Sequence, residues 1–180
     1  MLYAFGFERV GVLVGDLYFL NPRPEPGQQG AERGVRLEVR MLEKGELKGS
    51  IYSAQPIAVD RPIWRADLLE SVDSEPGSLD RVHHHPDFRG WEPGKRHFDA
   101  EMSAAPLDFL ARRLADLEGM LERAGTTVTD ADLRDAEALR RTASEIVDVV
   151  RRLLDAVKTG KLGRAPDQGG GLESARLGWL

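Results

Sequence analysis

Residues 95–125, KRHFDAEMSAAPLDFLARRLADLEGMLERAG, change their hydrophobic period partway along. Up to Met102, polar and apolar residues alternate, as in a strand whose side chains point to opposite faces. Beyond it, Leu107, Leu110, Leu114, Leu117 and Leu121 recur at intervals of three or four, one stripe of a helix. Pro106 suits a first helical turn and Gly125 a C-terminal stop. The switch divides the chain: an antiparallel β domain over 1–102, a helical hairpin over 103–163, and a flexible tail over 164–180. The fold class expected is α+β, a sheet of five to seven strands followed by helices that cover it or extend from it.

Working towards the C-terminus, Leu133, Leu139, Ile146, Val147, Val150, Leu153, Leu154 and Val157 continue the helical pattern for about 29 residues. Thr129 or Asp130 can cap its start and Gly160 can end it. A helix this long, about 40 Å at 1.5 Å per residue, is expected to project or to pair with a second copy or another protein. Beyond it, Leu177, Trp179 and Leu180 are candidates for partner binding, as apolar residues that follow the Gly169-Gly170-Gly171 run.

Working towards the N-terminus, Val10 to Leu20 is almost continuously apolar, and Gly15-Asp16 within it suggests a two-residue hairpin turn. NPRPEPGQQGAERG, residues 21–34, reads as a long loop. Val35, Leu37, Val39 and Met41 alternate with Arg36, Glu38 and Arg40, which describes a sheet with one wet face, and a turn is expected near Glu43-Lys44-Gly45. Trp64, Ala66 and Leu68 oppose Arg65, Asp67 and Leu69 in the same way. LDRVHHHP and KRHFDAEM are two further short strands.

Composition narrows the function classes. The chain has 180 residues, is 41% hydrophobic and has no cysteine. A disulfide framework, a thiolate metal site and a cysteine nucleophile are therefore excluded. No apolar run approaches the roughly 20 residues of a membrane helix, so the expectation is a cytoplasmic protein without membrane association. The arginine-rich, lysine-poor composition points to a GC-rich bacterial genome. Net charge is −5, without a basic tail, which lowers the case for nucleic acid as a partner. No Walker loop, dinucleotide glycine fingerprint, GxSxG elbow or HExxH pair occurs.

All four histidines lie between residues 83 and 97. His83 and His85 share one strand face and His84 points to the other. A simple pairing of the two strands would bring His97 and Asp99 onto the face of His83 and His85. These four are the candidate ligands of a divalent metal, since two or three histidines and a carboxylate around an open position make a catalytic site. Without metal, His83, His85, His97, Asp99 and Asp67 are candidates for acid–base catalysis, and Arg96, Arg81 or Arg89 for anion stabilisation. The plain alternative is a polar strand face.

GSLDRVHHH, Gly77 to His85, resembles the opening of the first cupin motif, and PGKRH, Pro93 to His97, resembles the second. The resemblance implies metal-binding histidines at His83 and His85, with the last ligand at His97. The motif's glutamate would fall at Arg89 or Gly90, and too few residues separate the two stretches for the intervening strands of that barrel. Two functions follow: a binding or assembly module that self-associates or binds a protein through its hairpin, or a small hydrolase, metal-dependent or resembling a ribonuclease toxin, that uses the histidine segment.

Overall fold

The computed structural model describes residues 1–21 and 24–165. Five antiparallel strands follow one another in space as in sequence: β1 Leu2–Gly6, β2 Val10–Leu20, β3 Ala31–Lys44, β4 Ile57–Ser71 and β5 His83–His85. Residues 88–93 form a separate miniature hairpin, β6 Phe88–Arg89 with β7 Glu92–Pro93. Four helices follow: α1 Ala100–Ala104, α2 Pro106–Leu114, α3 Leu117–Arg123 and α4 Asp130–Lys158. The α+β class stands. Among the described residues no helix is long and apolar enough to cross a membrane.

One face of the sheet carries Val12, Val14, Val35, Leu37, Val39, Trp64, Ala66 and Leu68, all buried. Onto it pack Leu110, Leu114, Leu117, Leu121, Leu139, Ile146, Val150 and Leu153 from the helices, in one core. The buried side chains of α4 run from Asp132 to Val157, and the helix crosses β2 and β3. It lies on the sheet along its length instead of projecting.

Four local expectations need correction. The Gly15-Asp16 turn does not exist: β2 runs straight through, with Gly15 opposite Arg36 and Asp16 opposite Val35. The Asp16 carboxylate accepts the Gly163 N–H at 2.9 Å and pairs with the terminal amine of Met1, so it ties the segment just after α4 and the residue before β1 to β2. The β3–β4 connection spans residues 45–56, longer than the turn expected near Gly45. The first arm of the helical hairpin is broken at Ala115-Asp116 into α2 and α3, so a single long hairpin is not what packs on the sheet. Residues 95–102 are not a strand: only His97 bridges to β5, and Asp99 accepts from the Glu101 and Met102 N–H groups to cap α1.

The turn between β1 and β2 is held by a helix. Asp135 of α4 is buried and accepts the backbone N–H groups of Glu8, Arg9 and Val10 at 2.9, 2.7 and 3.0 Å. One turn earlier, Asp132 accepts the Thr129 N–H at 2.8 Å and Arg9 Nη1 at 3.1 Å. The turn donors that a sheet edge leaves open are thereby satisfied. At Gly34 a side chain is impossible: its Cβ would stand 2.0 Å from the Leu68 carbonyl oxygen, at φ +156°.

Candidate functional site

The second face of the sheet is polar, as the alternation requires, but it is not wet. Register places Arg36 opposite Asp67, Glu38 opposite Arg65, Asp67 opposite His83 and Arg65 opposite His85. Residues 86–97 leave β5 and cover this region. Arg65 lies 5.9 Å from the Phe88 ring centroid and Arg40 5.1 Å from that of Trp91. Asp67 and His83 are each 1% exposed and His85 4%.

Asp67 is the hub. Arg36 donates Nε to its Oδ1 at 2.6 Å and Nη2 to its Oδ2 at 3.2 Å, a planar fork on a carboxylate. Arg65 Nε lies 3.1 Å from Oδ2 as an ion pair, although its N–H does not point at that oxygen. His83 Nε2 and His85 Nε2 face the same Oδ2 from 3.3 and 3.7 Å. Burial alone would raise the Asp67 carboxyl, but the charges of Arg36 and Arg65 and the His83 contact outweigh it and hold it well below the usual carboxylate range. Around the hub, Glu38 accepts from Arg40 at 2.9 Å and lies 3.8 Å from Arg65.

The histidine tautomers follow from their other ring nitrogens. His83 Nδ1 donates to the Arg81 carbonyl at 2.7 Å, and His85 Nδ1 donates to the Gly94 carbonyl at 2.9 Å. A carbonyl can only accept, so both Nδ1 atoms carry hydrogen and both Nε2 atoms turn towards Asp67. Burial, and then the charge of Arg65, push His85 down to about 3, against the opposing pull of Asp67 and the Gly94 hydrogen bond. Its neutral Nε2 accepts from Arg65 Nη2 at 3.0 Å. The three ligand-type atoms of Asp67, His83 and His85 lie within 4.8 Å of one another.

The structure thus brings together Asp67, His83 and His85, and adds Arg36, Arg65, Arg40 and Glu38. The other candidates lie elsewhere. His97 pairs with His84, not with the His83–His85 face, and its ring is 5.7 Å from that of His84. The expected register is off by one residue, which puts Phe98 beside His83 instead, with ring centroids 5.6 Å apart. Asp99 caps α1, and Arg96 forks onto Glu32 at 2.9 and 3.0 Å. Arg81 contributes its carbonyl, while its guanidinium reaches the Gly27 carbonyl. Arg89 lies in β6 and is exposed. His84 faces the core, 5.2 Å from the Phe109 ring, where burial and then Arg113 push it down to about 4. Leu177, Trp179 and Leu180 lie outside the described residues.

Arg36, Glu38, Arg40 and Arg65 were visible in the sequence only as the polar halves of alternating strands. The signal that could have promoted them is cross-strand complementarity: R-E-R on one strand against R-A-D on a neighbour. Comparison with protein-family models, with curated proteins and with solved structures gives no match.

Proposed function

We propose that the chain is a small metal-independent hydrolase of phosphodiesters, a ribonuclease in type, working through Arg36, Arg65, Asp67, His83 and His85. One observation carries this reading. Three acceptor groups, two Nε2 atoms and a carboxylate, converge on a point that demands positive charge, and Arg65 supplies it by contacting both His85 and Asp67. A divalent ion there would stand against two guanidiniums already bound to its carboxylate ligand, a repulsion that burial strengthens. Three arginines face two carboxylates, Glu38 and Asp67, so an anionic group fits the surplus charge.

No hydroxyl or thiol nucleophile belongs to the cluster, so the attacking oxygen comes from the substrate. A ribose 2′-hydroxyl beside its own phosphodiester meets that need by proximity. Its proton passes to neutral His85 Nε2 as the 2′-oxygen bonds to phosphorus. The bond from phosphorus to the 5′-oxygen breaks, and that oxygen takes a proton from His83, which enters this step as the imidazolium with hydrogen on Nε2 as well as on Nδ1. The products are a 2′,3′-cyclic phosphate and a free 5′-hydroxyl. Arg65, released from His85, stabilises the charge on the non-bridging oxygens. Asp67 and Arg36 hold the histidines and Arg65 in place.

A metal-dependent variant has one observation in its favour. The 3.3 and 3.7 Å separations exceed a charge-assisted hydrogen bond and approach the ~3.4 Å between ligands about 2.0–2.2 Å from a tetrahedral zinc. The assembly reading has less to stand on: α4 lays its apolar side on the sheet, and Leu133 is the one large exposed hydrophobic residue of the helices among the described residues. The test is incubation of untagged protein with a short RNA in EDTA. Cleavage to cyclic-phosphate ends, lost in both His83→Gln and His85→Gln, is the expected result. Cleavage only with added zinc would move the assignment to the metal variant, and cleavage that survives both substitutions would overturn the site.

A further inference from the structure

We infer that the substrate of this site is a single-stranded oligonucleotide whose bases stack on Trp91 and Phe98; the inference rests on the hydrolase reading above. Both aromatics are exposed and both contact a member of the polar cluster. Trp91 is 59% exposed and Phe98 55%, yet both stand beside the buried cluster. Trp91 lies in the cover between β6 and β7, with the Arg40 guanidinium 5.1 Å from its ring centroid. Phe98 follows the His97 bridge and packs its ring 5.6 Å from that of His83. One ring is thus coupled to an arginine at the β3 side of the cluster, the other to a proposed catalytic histidine at the β5 side.

Exposed rings beside cationic groups are the recurring device for holding single strands: every base has a stackable face, and the guanidiniums follow the backbone. A duplex buries those base faces, so it cannot use the rings. The groove on the cover offers Arg89, Lys95 and His97 to a phosphate backbone, interrupted by Asp87 and Glu92. With a net charge of −5 on the chain, long-range attraction to nucleic acid is weak, which makes stacking the main source of affinity. Discrimination therefore lies in strandedness and in the two bases next to the cleaved bond, not in a long electrostatic footprint.

The test uses a fluorescently labelled twelve-residue oligodeoxythymidylate, which lacks the 2′-hydroxyl and is not cleaved, and follows its anisotropy. Trp91→Ala and Phe98→Ala are each expected to weaken binding roughly five- to 150-fold, the range of a lost base stack. Trp91→Phe and Phe98→Tyr keep a ring and should keep most of the affinity. The same strand annealed to its complement should bind more weakly than the single strand. No binding by the wild type, alanine variants that bind as the wild type does, or equal binding of duplex and single strand would each overturn the inference. RNA cleavage in EDTA is scored separately. Ring-dependent binding without cleavage leaves the stacking site and removes the hydrolase; cleavage with ring-independent binding does the reverse.

Discussion

At the scale of single residues, Asp67 decides whether the polar face is stable. Its carboxylate is the shared counter-ion of Arg36 and Arg65; Asp67 itself is buried, and the two arginines are only partly exposed. Asp67→Asn keeps the volume but strips that counter-ion from two guanidiniums. We expect a loss of about 3–5 kcal/mol, read from urea unfolding, because an uncompensated buried charge costs far more than the pair contributes. A loss under about 1 kcal/mol would mean that the arginines find water. The buried histidines give a second expectation. His84 and His85 accept a proton near 6.5 when unfolded, but only near 4 and 3 when folded. Between those values the unfolded chain binds more protons, so stability falls as pH drops from about 6.5 to about 4, by up to about 1.4 kcal/mol per pH unit for each histidine. Asp67 adds its own loss only at still lower pH, where its carboxylate protonates. A urea midpoint that stays flat from pH 6.5 to 4.5 would show that these rings are hydrated; His84→Gln should reduce the slope.

At the scale of elements, α4 and the sheet hold each other. Leu114 of α2 is fully buried in the common core, and Leu114→Ala is expected to cost about 2–5 kcal/mol. Asp135 binds three backbone N–H groups of the β1–β2 turn, so Asp135→Ala leaves three donors without a partner. We expect about 3 kcal/mol or more, with Asp135→Asn milder, since hydrogen bonds to a charged acceptor contribute about 1.5–3 kcal/mol each before compensation by water. The same elements show what sequence can express. The alternation of Val35 to Met41 and of Trp64 to Leu69, and the long stripe from Leu133 to Val157, are local periods and were legible. Tertiary register is not local. The bond between His84 and His97 depends on how many residues the β6–β7 hairpin takes up, and one residue of slip exchanged His97 for Phe98 beside His83. Gly15-Asp16 carried a turn signal that lost to eleven residues of ladder with β3. The cluster was half legible: the strand face of His83 and His85 was readable, whereas Arg36 and Arg65 became its partners only through the pairing of β3, β4 and β5.

At the scale of the whole molecule, the two faces of one sheet do different work. The apolar face is sealed by α2, α3 and α4; the polar face is closed over β4 and β5 by residues 86–97. The two closures differ in strength. The helices contribute an apolar core, while the cover rests on two-residue strands, the Gly94 carbonyl on His85, the Arg40–Trp91 stack and the Arg96–Glu32 fork. A substrate cannot reach His83 or His85, each nearly without exposed surface, while that cover lies down. Catalysis at this site therefore requires the cover to open without unfolding the sheet, a sub-global opening of the kind that active-site lids use. Amide exchange should report it. We expect the backbone N–H of Gly94, bonded to the Asp87 carbonyl, to exchange well before those of β2 and β3, and His97 with its bond to His84 to lie between. The non-cleavable oligonucleotide reaches the cluster only with the cover raised, so adding it should speed exchange in the cover and leave the β2–β3 ladder unchanged. If Gly94 exchanges only with the central strands, the cover is part of the core, and the polar cluster beneath it is a structural one.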